Sequence, residues 1–147
     1  MKSSKNWNLY FLSLLNDVQS TAINITTHPT IAVTRIPTKI EERLLTLANP
    51  QVLENWLTEF EKERQKLNKI QDGAGCKRKA DNILKDLEVS YQKSLELTSN
   101  LTQTIKKVKS TNQTVSVVAP ALSKLAVVVH QLAENIQEIS VLLSEKN

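Results

Sequence analysis

The chain is 147 residues long, enough for one domain and too short for two full ones. It contains only two glycines, where ordinary usage would supply roughly ten; this excludes the left-handed corners and phosphate-cradling loops that Rossmann folds, P-loops and β-sandwiches depend on. A net charge of +4, 40% apolar and 23% charged content suit a folded chain, and with aromatics at 4% the core must be mostly aliphatic, as in a helical bundle.

The first helix is predicted from about Ser4 to Ile25, because Trp7, Phe11, Leu14, Val18, Ala22 and Ile25 fall on one helical face. Lys2 and Lys5 before the run Leu9–Leu15 give a faint likeness to a signal peptide, but Asn16-Asp17 follows at once with no small-residue cleavage site, so the segment reads as an amphipathic helix. Pro29 and Pro37 then bracket a β-branched stretch, Thr30 to Ile36. Proline disfavours helix at the residue before it, so residues 26–39 are expected to form a loop laid along the bundle in preference to a short strand awaiting a partner, since no second strand is visible to pair with it.

Thr38-Lys39-Ile40-Glu41 has the pattern of a capping box and opens a short helix with Ile40, Leu44 and Leu47 on one face. Asn49-Pro50 ends it and starts another, since Asn caps well and Pro suits a first helical position. There Leu53, Trp56, Leu57, Phe60, Leu67 and Ile70 make an apolar stripe, opposite a face of mixed charge that includes Glu59, Glu61, Lys62, Glu63 and Arg64. Gly73 and Gly75 are expected to terminate this helix.

A long helix follows, about Lys77 to Lys109, with Leu84, Leu87, Tyr91, Ser94, Thr98, Leu101, Ile105 and Val108 alternately three and four apart. Ser94 and Thr98 are polar at this seam, and Leu95 and Leu97 are expected to take over the contact there. After the loop Ser110 to Thr114, Pro120 opens the last helix. Its seam is the cleanest in the chain: Leu122, Leu125, Val129, Leu132, Ile136, Ile139 and Leu143. Ala121, Val128, Leu142, Ala126 and Ala133 flank this seam without charge, so the stripe is wide, as in a bundle with two or more neighbours. The outward side is polar (Lys124, Gln131, Glu134, Gln137, Glu138, Glu145), with Val127 and Val141 as exceptions.

The expected fold is therefore all-α: an elongated four- to five-helix bundle in a single helical domain, 1–147. Residues 1–75 supply N-terminal helices and the Pro-bracketed loop, and 76–147 a C-terminal antiparallel heptad-patterned hairpin. A helix of this length reaches about 50 Å, long against a radius of gyration near roughly 15 Å for a compact chain this size. That mismatch points to stripes completed by other chains. Charge alternates along the chain, net +3 over residues 1–39, −2 over 40–75, +4 over 76–110 and −1 over 111–147, which favours side-by-side packing of successive helices.

Little in the sequence suggests catalysis. There is no G-x-S-x-G, P-loop, H-E-x-x-H or Rossmann fingerprint. His28 has no partner at ligand spacing, and His130 has only Glu134 one turn on, short of a metal site. The expectation is no enzyme, no catalytic residue, no cofactor, no metal and no small-molecule substrate. Cys76, the single cysteine, cannot make an intramolecular disulfide, which suggests a reducing, cytoplasmic setting. No run approaches the length that spans a bilayer. The three Asn-x-Thr triplets, at Asn24, Asn100 and Asn112, compare with about two expected by chance and would stay unmodified there.

The leading functional expectation is a non-catalytic scaffold or adaptor subunit. It would assemble with other helical subunits through apolar heptad faces, namely the seam from Leu122 to Leu143 with Leu84, Leu87, Tyr91, Leu101 and Ile105. The alternative is a nucleic-acid-binding subunit that meets phosphates through two clusters on the long helix, Lys77, Arg78, Lys79 at its start and Lys106, Lys107, Lys109 at its end. Lys106 and Lys109 suit the negative end of the helix dipole, whereas Lys77 to Lys79 oppose the positive end, which leaves a phosphate backbone, acidic residues of a partner, or chance to account for them. No aromatic residues interleave with the lysines, so stacking on bases is not indicated. In size, helix content and charge the chain resembles the small all-helical backbone subunits of CRISPR effector complexes, a likeness with no shared motif. Membrane-surface binding through Trp7, Tyr10 and Phe11 is the weakest option.

Overall fold

The computed structural model describes the backbone of residues 4–66 and 73–146, and the side chains of residues 8–66 and 75–143. Five α-helices are present among the described residues: α1 (Ser4–Thr26), α2 (Thr38–Leu47), α3 (Pro50–Lys66), α4 (Gly73–Val108) and α5 (Ala119–Lys146). They pack together as an all-helical bundle. α5 lies against α1 and α4; the α2–α3 pair lies against the same two helices from the opposite side. Trp56 meets Asn8 and Phe11 near the start of α1, while Arg43 of α2 reaches Asp17 further along it, so α2–α3 runs antiparallel to α1. Cys76 near the start of α4 touches Leu142 near the end of α5, so these two are antiparallel as well. The arrangement is up-down-up-down, with the second helix broken in the middle.

The break is made by Asn49-Pro50, as its chemistry predicts. Asn49 Oδ1 accepts the Gln51 amide at 3.1 Å, capping α3, and Pro50 occupies the first helical position. The capping box expected at Thr38 does not form. Pro37 is the N-cap, Thr38 is already helical, and no side chain caps the helix. Glu41, which should reach back to the cap, instead takes Lys109, just past the end of α4, as an ion-pair partner at 3.0 Å. The glycine pair also differs from expectation. Gly73 and Gly75 lie in the first turn of α4 rather than at the end of α3. The join between α3 and α4, with Leu67 and Ile70 of the predicted stripe, falls outside the described residues.

The core is continuous. Phe11, Leu14, Val18 and Ala22 of α1 are buried, as are Ile40, Leu44 and Leu47 of α2 and Trp56 and Phe60 of α3. Four aromatics meet at its centre: Phe11 packs edge-on to both Trp56 (6.4 Å) and Tyr91 (6.1 Å), and Trp56 stacks on Phe60 at 5.2 Å. Leu15, fully buried, and Asn8, which accepts a hydrogen bond from Trp56 Nε1, widen the α1 stripe beyond its predicted positions.

The Pro-bracketed loop finds its partner in the other long loop. Val33 donates its amide to the Gln113 carbonyl at 2.9 Å, and Val115 donates to the Ile31 carbonyl at 2.8 Å, reciprocally around an antiparallel bridge between Ala32 and Thr114. Each segment then makes one 3-10 turn (Val33–Arg35 and Val115–Val117), buries its first valine, sends Ile36 or Val118 into the core, and enters a helix. The half α1–loop–α2–α3 is thus laid out like the half α4–loop–α5. Charge is also distributed around the ring of helices: the basic α4 lies between the acidic α2–α3 pair and the acidic α5, while in α1 Lys5 and Asp17 cancel. Arg43–Asp17, Lys109–Glu41 and Arg64–Asp81 are the ion pairs that join α2–α3 to its neighbours.

Candidate interaction surfaces

The predicted interface residues lie inside the chain. Leu122, Leu125, Val129, Leu132, Ile136 and Ile139 have no exposed surface and Leu143 almost none. On α4, Leu87, Tyr91, Leu101 and Ile105 are likewise buried, and Leu84 is half-buried against the same core. The physical reason is internal partnering: α5 covers one side of α4 and α2–α3 covers the other. A 36-residue α4, about 54 Å long, is therefore matched within the chain, and its length calls for no second subunit. Any surface offered to a partner must use other residues.

The polar seam positions on α4 also stay in the core. Ser94 and Thr98 are fully buried and Thr102 nearly so, while Leu95 and Leu97 are only partly buried. Each hydroxyl is satisfied by its own helix: Ser94 donates to the Tyr91 carbonyl (2.7 Å), Thr98 to Ser94 (2.7 Å) and Thr102 to Thr98 (2.8 Å). Small side chains with internal bonds let a neighbouring helix approach without leaving polar atoms unpaired. The Tyr91 hydroxyl lies within reach of the Leu47 (3.2 Å) and Asn49 (3.0 Å) carbonyls at the α2–α3 break, and burial pushes its pKa up to about 12. These groups hold the bundle together and face no open cleft.

The basic clusters separate into used and free members. Lys109 is half-buried and paired with Glu41; Lys77 is half-buried with an interaction of its own. Arg78, Lys79, Lys106 and Lys107 are exposed and make no ion pair among the described residues. They sit near opposite ends of α4, about 40 Å apart along the helix. Arg64 on α3 bonds Asp81 (2.8 Å) and Glu61 (2.9 Å), and those bonds, Asp81 first, raise its pKa further. Both histidines have roles in the surface structure. His28 Nδ1 lies 3.0 Å from the Asn24 carbonyl at the end of α1. His130 links α5 to α1 through Gln19 (3.3 Å) and meets Glu134 at 2.9 Å. Among the described residues, no group of three His, Cys, Asp or Glu is placed to hold a metal, and no helix is long and apolar enough to cross a membrane. Of the aromatics considered for a membrane surface, Phe11 is core, Tyr10 is exposed, and the Trp7 side chain is outside the described set.

Several concave surfaces are open among the described residues. Between the start of α4 and the end of α5 lies a groove of about 810 Å³, lined by Lys79, Asn82, Ile83, Glu134, Gln137, Glu138, Val141 and Leu142. Its apolar lining is half-buried Ile83 and Leu142 with exposed Val141; its walls are polar. Sequence periodicity marked Val141 as an apolar residue on a polar face and Leu142 as a flank, but passed over Asn82 and Ile83. Ile83, an aliphatic residue one position before the heptad seam, was the available signal. No protein-family model, curated protein or solved structure matches the chain.

Proposed function

We propose that this protein is a non-catalytic helical subunit, a scaffold or adaptor that docks helical partners in the α4–α5 groove rather than on its heptad seam. One observation carries the reading. A bundle whose own apolar seams are closed internally still leaves a groove with an apolar floor and polar walls at one end of its longest helix pair. An amphipathic helix laid into such a groove buries its apolar face and keeps its polar flanks in water. The buried polar groups support a role without catalysis, since Tyr91, Ser94, Thr98 and Thr102 are all committed to backbone carbonyls. A reducing, cytoplasmic setting is supported by the sole cysteine, Cys76, which is buried with its thiol 3.5 Å from the Leu142 carbonyl.

The test is affinity capture from the native source with mass spectrometry, comparing the wild-type chain with Val141→Arg. Val141 is 52% exposed, so the substitution should leave folding intact, which circular dichroism checks. A set of proteins held by the wild type and lost with Val141→Arg supports the reading. Identical capture by both chains removes the groove from it.

A second reading, phosphate-backbone binding, rests on Arg78, Lys79, Lys106 and Lys107, which are exposed and unpaired among the described residues. Filter binding at two salt concentrations tests it, because each neutralised phosphate steepens the salt dependence. Lys77 and Lys109 drop out of this reading, being half-buried and engaged within the fold.

A further inference from the structure

We infer that the occupant of the α4–α5 groove is a second copy of this chain, with α5 of each copy seated in the groove of the other. The inference rests on the reading of that groove as a docking surface, and adds to it the identity of the partner.

The argument is one of charge and symmetry. The two walls of the groove have opposite sign: Lys79 stands on the α4 wall, Glu134 and Glu138 on the α5 wall. Opposite charges facing each other across a slot would ordinarily close on one another. Here they do not. Among the described residues, Lys79 and Glu138 are exposed and form no ion pair with each other or with any other side chain, and Glu134 pairs only with His130. Asn82 and Gln137, which share the walls, also make no side-chain hydrogen bond among the described residues. Four polar side chains are thus left open around an apolar floor of Ile83, Val141 and Leu142.

A helix from a different protein would meet both signs at once and gain from only one of them, unless it carried a matching pattern. A two-fold copy carries that pattern by construction. In an isologous contact each surface meets itself, so Lys79 of one copy approaches Glu138 of the other, twice over. α5 also carries exposed apolar side chains on its outward face. Val127 (63% exposed) and Val141 are two heptads apart on its outward face, about 21 Å along the helix, with Gln131, Glu134 and Glu138 between them. Apolar contacts at the ends and polar contacts between set a register, and like-charge juxtaposition disfavours others. An interface of this composition belongs to the small, weak class, so association is expected at tens to hundreds of micromolar.

The experiment is light scattering coupled to size exclusion on the full chain, over a concentration series of about 5 to 500 µM chosen to bracket that range. The monomer mass is 16.6 kDa; the wild type is expected to move toward twice that mass as concentration rises. Lys79→Glu places two carboxylates face to face at each contact and should weaken dimerisation by about tenfold or more. Glu138→Lys should do the same. The double variant Lys79→Glu/Glu138→Lys restores both pairs and should dimerise again, and an equimolar mixture of the two single variants should form heterodimers, since each of their contacts sets a carboxylate against a lysine although neither single variant can pair with itself. All these positions are exposed, and unchanged thermal melting confirms that the fold survives. A wild type that stays monomeric throughout overturns the inference, and so does a dimer indifferent to all of these substitutions. If the chain is monomeric yet loses captured proteins with Val141→Arg, the groove docks another protein and only the self-association fails. If capture is also unaffected by Val141→Arg, the docking reading fails with it.

Discussion

The Tyr91 hydroxyl on α4 lies 3.2 Å from the carbonyl oxygen of Leu47, at the last residue of α2. That carbonyl is left over by the helix break. Its usual donor, the Gln51 amide, is taken by the Asn49 side chain, and Pro50 has no amide to offer. One side chain from the opposite half of the chain thus satisfies a backbone group that the second helix sacrifices to bend.

Tyr91→Phe keeps the ring contact with Phe11 and removes only that donor. The buried carbonyl is then unpaired, at an expected cost of about 1–3 kcal/mol in urea unfolding. The pH dependence has a definite sign. Burial raises the Tyr91 pKa from its ordinary 10.0 to about 12, so the unfolded chain loses its proton first as pH rises. The stability this confers is complete below pH 10 and is lost progressively between about pH 10 and 12, roughly 2–3 kcal/mol in all. The Phe variant should lack that part of the alkaline decline; an identical slope in both proteins would refute the assignment.

Thr98→Val should be nearly neutral, within about 1 kcal/mol of the wild type. The Thr98 hydroxyl bonds carbonyls of its own helix that already have backbone donors, so a methyl of similar size leaves no essential partner unpaired. A loss of several kcal/mol on thermal melting would mean that the hydroxyl bonds something other than its own backbone.

Gly75→Ala is expected to stabilise the protein by about 0.4–1 kcal/mol, seen as a higher melting temperature. Gly75 is within α4, and a Cβ built there meets nothing within 4 Å. Alanine narrows the unfolded ensemble without crowding the folded one. Destabilisation would show that the start of α4 is not helical in solution.

Leu132→Ala should cost about 2–5 kcal/mol, the range for a large-to-small change in a closed core. Because Leu132 is fully buried within one chain, the loss should be the same at any protein concentration low enough to keep the chain monomeric. A loss that shrinks as concentration rises would return the α5 seam to an interface between subunits.

The all-helical fold and most element positions were legible in the sequence by itself. Spacing alone placed Phe11, Leu14, Val18 and Ala22 on the buried face of α1 and Leu122 to Leu143 on that of α5, because helical periodicity is a local property of the chain. Asn49-Pro50 announced its break for the same reason: cap chemistry acts within a few residues. Where sequence and structure part, a distant group has won. Glu41 leaves the capping box for Lys109, 68 positions away, since an ion pair shielded from water outweighs a weak local cap. Ser94 and Thr98 keep their seam places through hydrogen bonds that polarity scales do not register.

Whether the seams were closed from within or by other chains was beyond what periodicity could decide. A stripe states that a face will be buried, and says nothing of what buries it. Tertiary structure answered that, by setting the broken α2–α3 helix opposite α5 and pairing the two long loops through Val33 and Val115. It also moved the candidate site from the seam to the groove beside it, where Lys79 and Glu138 stand 59 positions apart in sequence and share one surface only because α4 and α5 run antiparallel. The two glycines that ruled out sheets and phosphate loops therefore fixed the class of fold, while the pairing of helices, a long-range balance of packing and charge, decided which surface remains open.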